Sequence, residues 1–409
     1  MPLPDFGRRI PELDGIRGMA ILIIIIFHWL IMEGTVILPS RFEQVGSFGW
    51  TGVDLFFVLS GFLIGGILMD VRRVSNYFSV FYFRRFCRIL PLYGAVCLLS
   101  LAVYYAHLST HGWLFEGKIP WYAYLTFGQN FWMAKYNVVS SRQIDVTWSL
   151  AVEEQFYLTL PLVIWMVKPK YLLHVLISGI ILAPLVRMTL WFTLDLEHRV
   201  TATYLLAPCR MDALLLGVLA AWAVRREASW QWLLANKSVL NISCFGLGLG
   251  FLVMIRMRWG LGSFALVSFG YTWIALFYLS LLLLAVTQED SLASKIFKMR
   301  FLTELGTLAY GLFLFHQPVL GVVYALLVKA SPKLEGAGEL GVTLLAAIPL
   351  ALLARLSWDY FEKPLVNIGH RHKYAKEIPD RIHNSVSTYE AFEESRVRRY
   401  PTKINLTES

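Results

Sequence analysis

The sequence predicts an all-α polytopic membrane protein of about ten transmembrane helices, and three observations carry that prediction. Hydrophobic residues fill 57 % of the 409 positions and charged residues only 16 %, against about 25 % charged in soluble domains. The mean hydropathy is +0.56. Apolar runs long enough to cross a hydrocarbon core as helices recur along the whole chain. They fall at about 16–32, 52–70, 89–106, 148–167, 172–193, 208–224, 238–255, 262–286, 306–329 and 339–361.

Charge placement orients these spans. Arginines and lysines crowd alternate connections, at Arg8/Arg9, Arg72/Arg73/Arg84/Arg85/Arg88, Lys168/Lys170, Arg225/Arg226/Lys237 and Lys295/Lys298/Arg300, while the intervening connections hold fewer. The positive-inside rule then puts both termini in the cytoplasm. Residues 1–15 read as a cytoplasmic N-terminus, 16–364 as the membrane domain and 365–409 as a polar, basic cytoplasmic tail with too few apolar residues for a core. The net charge of +9 signals orientation and contact with anionic membrane lipid, not nucleic acid. No cleavable signal peptide precedes Ile16. Cys87, Cys97, Cys209 and Cys244 show no paired spacing, so free thiols and no metal site are expected.

The first span carries Arg17 and His28, and an ionisable side chain in a membrane helix marks a functional site. Eleven positions correspond to three turns plus about 20°, so the two share a face about 16 Å apart along the axis. The second span opens on Asp54 and contains Ser60 between apolar residues; Gly61 and Gly65 form a small-xxx-small pair suited to close helix packing. The connection before the third span ends with Arg84, Arg85 and Arg88. Arg85 and Arg88 are neighbours on a helix face, where two guanidinium forks can grip one polyanion.

The segment His107 to Thr147 is rich in aromatics, including Trp113, Trp121, Tyr122, Trp132 and Tyr136, as expected of an interfacial belt or a carbohydrate-stacking rim. The fourth span opens with Ser149, Glu153 and Glu154, the first two on one face. At most one of the glutamates can face solvent, so the other should meet a cation or a proton. Arg210 and Asp212 open the sixth span on different faces, which gives each a partner elsewhere. Tyr310, His316 and Pro318 fall inside the ninth span and Glu362 closes the tenth; a proline there frees a backbone carbonyl that His316 could satisfy.

Six strings in chain order resemble the acyltransferase-3 family of integral membrane O-acyltransferases: Glu12-Leu-Asp14-Gly-Ile-Arg17-Gly-Met-Ala with His28 following; Phe56-Phe-Val-Leu-Ser60-Gly-Phe62; Arg85-x-x-Arg88 ahead of Ile-Leu-Pro-Leu-Tyr; Trp148-Ser149-Leu-Ala-Val-Glu153-Glu154-Gln-Phe-Tyr157; Tyr310 to Pro318; and Trp358 to Pro364. The resemblance covers residues 10–364. It implies transfer of an acyl group, acetyl in particular, from cytoplasmic acyl-CoA to a hydroxyl of a carbohydrate-type acceptor, with Arg17, Arg85 and Arg88 at the donor phosphates. It implies a bacterial inner-membrane location. Some members continue into an extracytoplasmic esterase-like domain where this sequence turns basic, so transfer by this chain alone or with a separate protein is expected.

The chemistry asks for a base to take the hydroxyl proton, donors for the oxyanion and a site that excludes water. Neutral His28 has the intrinsic pKa for the base. Glu153 is positioned to orient or protonate a histidine or to pair with an arginine, and Ser149 or Ser60 could carry a transient acyl group. Direct transfer is favoured because neither serine lies in a nucleophile elbow. Asp14, Asp54, Glu154, Arg210, Asp212, Tyr310, His316 and Glu362 complete the set as acceptor-binding or structural polar residues. A secondary transporter would share the buried charges but should show inverted repeats, which are not evident; a non-catalytic partner in envelope assembly would need no such set.

Overall fold

The structure, a computed structural model, describes residues 10–32, 39–105, 119–137 and 144–375. Trp113 and the distal tail lie outside the described residues. Within them the regular elements are all helical. The ten expected spans are present as α1 (Pro11–Ile26), α2 (Gly52–Asp70), α3 (Tyr77–Tyr105), α4 (Thr147–Met166), α5 (Pro169–Thr193), α6 (Ala207–Val224), α7 (Lys237–Arg256), α8 (Tyr271–Thr287), α9 (Arg300–Leu327) and a broken tenth span whose main piece is α10 (Ala347–Ser357). Nine helical stretches among the described residues are long and apolar enough to cross a membrane. The helix outside that set is α4, which carries Glu153, Glu154 and Gln155 in its first half.

Several helices begin earlier than hydropathy suggests, α1 and α3 among them. Pro11 starts α1 five residues before the apolar run, because proline is pre-organised for the first turn of a helix and loses no hydrogen bond there. The extra turn is anchored by Glu12, whose Oε1 accepts from Ser294 Oγ at 3.0 Å and pairs with Lys298 Nζ at 2.9 Å. That hydrogen bond to Glu12 raises the Lys298 ammonium pKa above its ordinary value. Helix α3 starts at Tyr77, so the arginine-rich stretch is already helical before the apolar run.

Two crossings are seated on glycine. A Cβ on Gly61 of α2 would lie 1.9 Å from the carbonyl oxygen of Leu214 in α6, and one on Gly217 of α6 would lie 2.1 Å from the carbonyl of Val58. Helices α1 and α9 meet in the same way, with Gly18 against the carbonyl of Leu302 and Gly306 against that of Asp14, each at 1.9 Å. Only a residue without a side chain permits backbones this close. Around these crossings lies a core of fully buried residues such as Ile16, Ile24, Phe57, Phe62 and Ile274, while large apolar side chains such as Phe192, Ile242, Phe245 and Leu326 are exposed on the outside of the bundle. That exposed girdle is what a lipid-solvated surface requires.

Among the described residues, three helical stretches widen into single π turns, at Phe27–Ile31, Leu266–Gly270 and Trp358–Glu362. His28 and Glu362 each sit in one. Such turns insert one residue into the ladder and concentrate at functional positions. The polar segment beginning at Leu365 starts inside a further helix, α11 (Lys363–Arg371), which packs back on α3: a Cβ on Gly369 would touch Cys87 Cβ at 3.2 Å. Arg84 donates from Nε and Nη2 to the carbonyl of His372, at 3.0 and 2.7 Å. The folded unit therefore extends past residue 364.

Candidate active site

Five helices and α11 enclose a cavity of about 280 Å³. The polar residues α4 contributes, Ser149, Glu153 and Tyr157, are spaced by four and so share one face. Helix α2 supplies Phe56, Phe57 and Ser60, α3 supplies Arg85, Arg88 and Ile89, α1 supplies Arg17 and Ile24, and α9 supplies Ala309, Tyr310 and Phe313; His370 comes from α11. Seven residues singled out from sequence thus meet in one place: Arg17, Ser60, Arg85, Arg88, Ser149, Glu153 and Tyr310.

Three guanidinium groups face one lining carboxylate, so the cavity suits an anionic guest. Arg17 leans on Asp14, with Nη1 3.2 Å from Oδ1. Arg85 lies 5.5 Å from the ring centre of Tyr157 and 5.8 Å from that of Phe81, a geometry in which the aromatic faces hold the cation without neutralising it. Glu153 accepts from Ser60 Oγ at 2.7 Å. Tyr310 donates to the carbonyl of Ile89 at 2.7 Å, which ties α9 to α3 across the cavity wall. Ser149 Oγ donates to its own helix at Val146, 3.2 Å away.

His28 departs from the simple expectation. It does not line the cavity: Ile24, one turn earlier on α1, and Phe313 on α9 do. The π turn that holds His28 displaces it from the straight-helix register linking it to Arg17. Its ring instead meets His316, with Nδ1 3.1 Å from Nε2 and ring centres 5.0 Å apart. His316 Nδ1 is in turn 2.7 Å from the carbonyl oxygen of Phe313.

A carbonyl can only accept, so His316 carries its proton on Nδ1 and, when neutral, presents a lone pair at Nε2. His28 then donates from Nδ1 and is left with an unprotonated Nε2. The pair fixes the His28 tautomer in the form a general base needs. Sequence reasoning gave that orienting role to Glu153 as one option; the structure pairs Glu153 with Ser60 and gives the histidine a histidine. The carbonyl freed by Pro318 is that of Leu314, so His316 is not there to satisfy it.

The remaining polar residues form a separate buried cluster between α2, α5, α6 and α8. Arg210 Nη2 lies 2.6 Å from Asp54 Oδ1, and the guanidinium stands among the rings of Trp50, Phe57, Tyr204 and Tyr271. Asp212 pairs with Arg187 Nη1 at 2.9 Å and accepts from Thr272 Oγ1 at 2.6 Å. Arg210 and Asp212 thus do have different partners, as their offset on the helix demands. Glu154 is buried without lining the cavity, and Glu362, in its π turn, accepts from Ser357 Oγ at 2.8 Å.

Tyr157 entered from sequence only as the end of the Trp148 to Tyr157 string, and two residues were not singled out at all. Arg187 is fully buried, and it was readable as a charge within an apolar run. His370 falls after the last apolar run, where nothing local distinguishes it from a tail histidine.

The sequence profile of an acyltransferase domain, acyltransferase 3, matches residues 10–356. Among curated proteins, O-acetyltransferase OatA of Staphylococcus aureus is 26 % identical over 393 residues, covering 89 % of this chain and 58 % of that protein. Putative peptidoglycan O-acetyltransferase YrhL of Bacillus subtilis is 27 % identical over 381 residues (89 % and 56 %). Peptidoglycan O-acetyltransferase OatA of Listeria monocytogenes is 27 % identical over 385 residues (88 % and 56 %). The chain therefore spans under three-fifths of the length of these relatives. No solved structure matches it.

Proposed function

Since this chain belongs to the acyltransferase-3 family, we propose that it transfers an acetyl group from acetyl-CoA at the cytoplasmic face of a bacterial inner membrane to a sugar hydroxyl of the peptidoglycan type. The observation that carries this reading is the juxtaposition of a cavity bearing Arg17, Arg85 and Arg88 with a histidine pair anchored on its wall residue Phe313. The guanidinium groups hold the coenzyme phosphates. About 16 Å of helix rise separates Arg17 from His28, a span comparable to the pantetheine arm, which would bring the thioester to the Ile24 and Phe313 wall, one turn from each histidine.

In the proposed step the acceptor hydroxyl oxygen attacks the thioester carbonyl carbon while His28 Nε2 takes the hydroxyl proton. The tetrahedral intermediate collapses with cleavage of the C–S bond, and the imidazolium returns its proton to the departing thiolate. Phe56, Phe57 and Phe313 keep water from competing with the acceptor. Ser149, already donating into its own helix, is a poor nucleophile, which favours direct transfer over an acyl-enzyme.

The names of the relatives specify no acetyl donor, so the test begins there. Membranes containing the full chain are incubated with radiolabelled acetyl-CoA and a soluble glycan acceptor. Label should appear in the glycan with wild type and vanish with His28→Ala. A secondary transporter, or a non-catalytic assembly partner, gives no labelled glycan even with wild type. Quenching that trapped labelled protein, lost on Ser149→Ala, would replace direct transfer by double displacement.

A further inference from the structure

A second cavity, of about 220 Å³, shares no lining residue with the first. Its walls are Met69 of α2 with Arg72 and Arg73 just after that helix, Pro169 and Leu172 of α5, and Trp222 of α6 with Arg226 just beyond it. It lies at the same end of the bundle as the cavity arginines, because Arg72 and Arg73 stand in the connection that leads into α3, ahead of Arg85 and Arg88.

Its two best-defined cations are held in place without being neutralised. Arg72 Nη2 donates to the carbonyls of Trp165, at 3.2 Å, and Val167, at the C-terminal end of α4. Arg226 lies 4.2 Å over the ring of Trp222. Among the described residues neither pairs with a carboxylate, whereas the adjacent Arg225 is occupied by Asp70 at 2.7 Å. No carboxylate lines the cleft. It offers fixed positive charge above an apolar floor of Met69 and Leu172.

The depth of the cleft is marked by its neighbours. Trp165 is 55 % exposed and Tyr171 51 % exposed, and exposed amphipathic rings of this kind sit at the head-group level of a bilayer. A basic pocket between membrane helices at that depth has the chemistry of a lipid phosphate site. Among the described residues the lining holds no carboxylate to pair with a choline or ethanolamine cation.

We propose that this cleft binds the head group of an anionic phospholipid, with the phosphodiester between Arg72 and Arg226 and the glycerol and first methylenes against Met69, Leu172 and Trp222. The proposal is independent of the transferase reaction. It is tested by thermal unfolding of the full chain, stripped of lipid in a neutral detergent, with phosphatidylglycerol, phosphatidylcholine or inorganic phosphate added. A ligand that binds the folded state raises the transition temperature.

Phosphatidylglycerol should raise the midpoint of wild type by several degrees, and Arg226→Gln should lose at least half of that shift. Arg300→Gln, which removes an exposed arginine paired with Glu304, should keep it. Native mass spectrometry should show a retained phosphatidylglycerol on wild type and less on Arg226→Gln. An equal response from Arg226→Gln, or an equal shift with phosphatidylcholine, would overturn the proposal. A shift reproduced by inorganic phosphate alone would replace the lipid by a soluble phosphate.

Discussion

The Nδ1 of His28 and the Nε2 of His316, 288 positions apart in the chain, are 3.1 Å from each other. If the second ring sets the tautomer of the first, its loss should depress turnover more than donor binding. His316→Ala is expected to lower kcat about 10- to 100-fold with the KM for acetyl-CoA nearly unchanged, while His28→Ala loses about 10²- to 10⁴-fold, the range of general-base catalysis. His316→Gln, which keeps an acceptor near Nε2, should recover part of the loss. Steady-state kinetics on reconstituted protein separates these cases, and equal effects of Ala and Gln at 316 would point to packing alone.

Arg85 and Arg88 should show the opposite pattern. A charge-assisted hydrogen bond contributes about 1.5–3 kcal/mol, so Arg85→Ala or Arg88→Ala is expected to raise the KM for acetyl-CoA by roughly 10-fold or more. Lysine at either position should restore part of it, since the charge returns without the fork. Competition by desulfo-coenzyme A or free coenzyme A measures the same loss without turnover.

The glycine crossings predict a contrast in stability. Gly61→Ala places a methyl group 1.9 Å from the carbonyl of Leu214 and should cost about 1–3 kcal/mol through displaced backbone. Gly94→Ala in α3 meets nothing within 4 Å and should be neutral or stabilising by about 0.5–1 kcal/mol, the usual helix preference for alanine. Thermal unfolding in detergent ranks the two.

Arg187 and Asp212 form a pair whose members are 0 % and 3 % exposed. Removing one partner of such a pair leaves a buried charge and costs about 3–5 kcal/mol. Asp212→Asn should therefore reduce the yield of folded protein, whereas Arg187→Met combined with Asp212→Leu should recover much of it. A double-mutant cycle gives the coupling.

The span pattern was legible because each helix must hide its backbone from lipid behind a continuous apolar surface, and that surface is written locally. The polar residues of the cavity were legible for the converse reason: Arg17, Ser60 and Glu153 interrupt runs that tolerate interruption poorly. What was not legible depends on tertiary partners. The π turn at Phe27–Ile31 leaves no mark in composition, so the His28 register read from a uniform helix was off. Nothing near residue 28 names residue 316. His370 reaches the cavity because α11 folds back on α3, a contact settled at Gly369 and Cys87 that no periodicity in a short polar segment announces.

Because carbonyl oxygens fill the room that side chains would otherwise leave at Gly18, Gly61, Gly217 and Gly306, neither interlocked helix couple can slide without collision. The walls that α1, α2 and α9 give to the cavity are consequently stiff. Adjustment is left to the long side chains that α3 and α4 turn into the cavity, Arg85, Arg88, Glu153 and Tyr157. On the proposed reading, a bulky donor would then be admitted by rearranging those arginine arms and not by parting the interlocked helices.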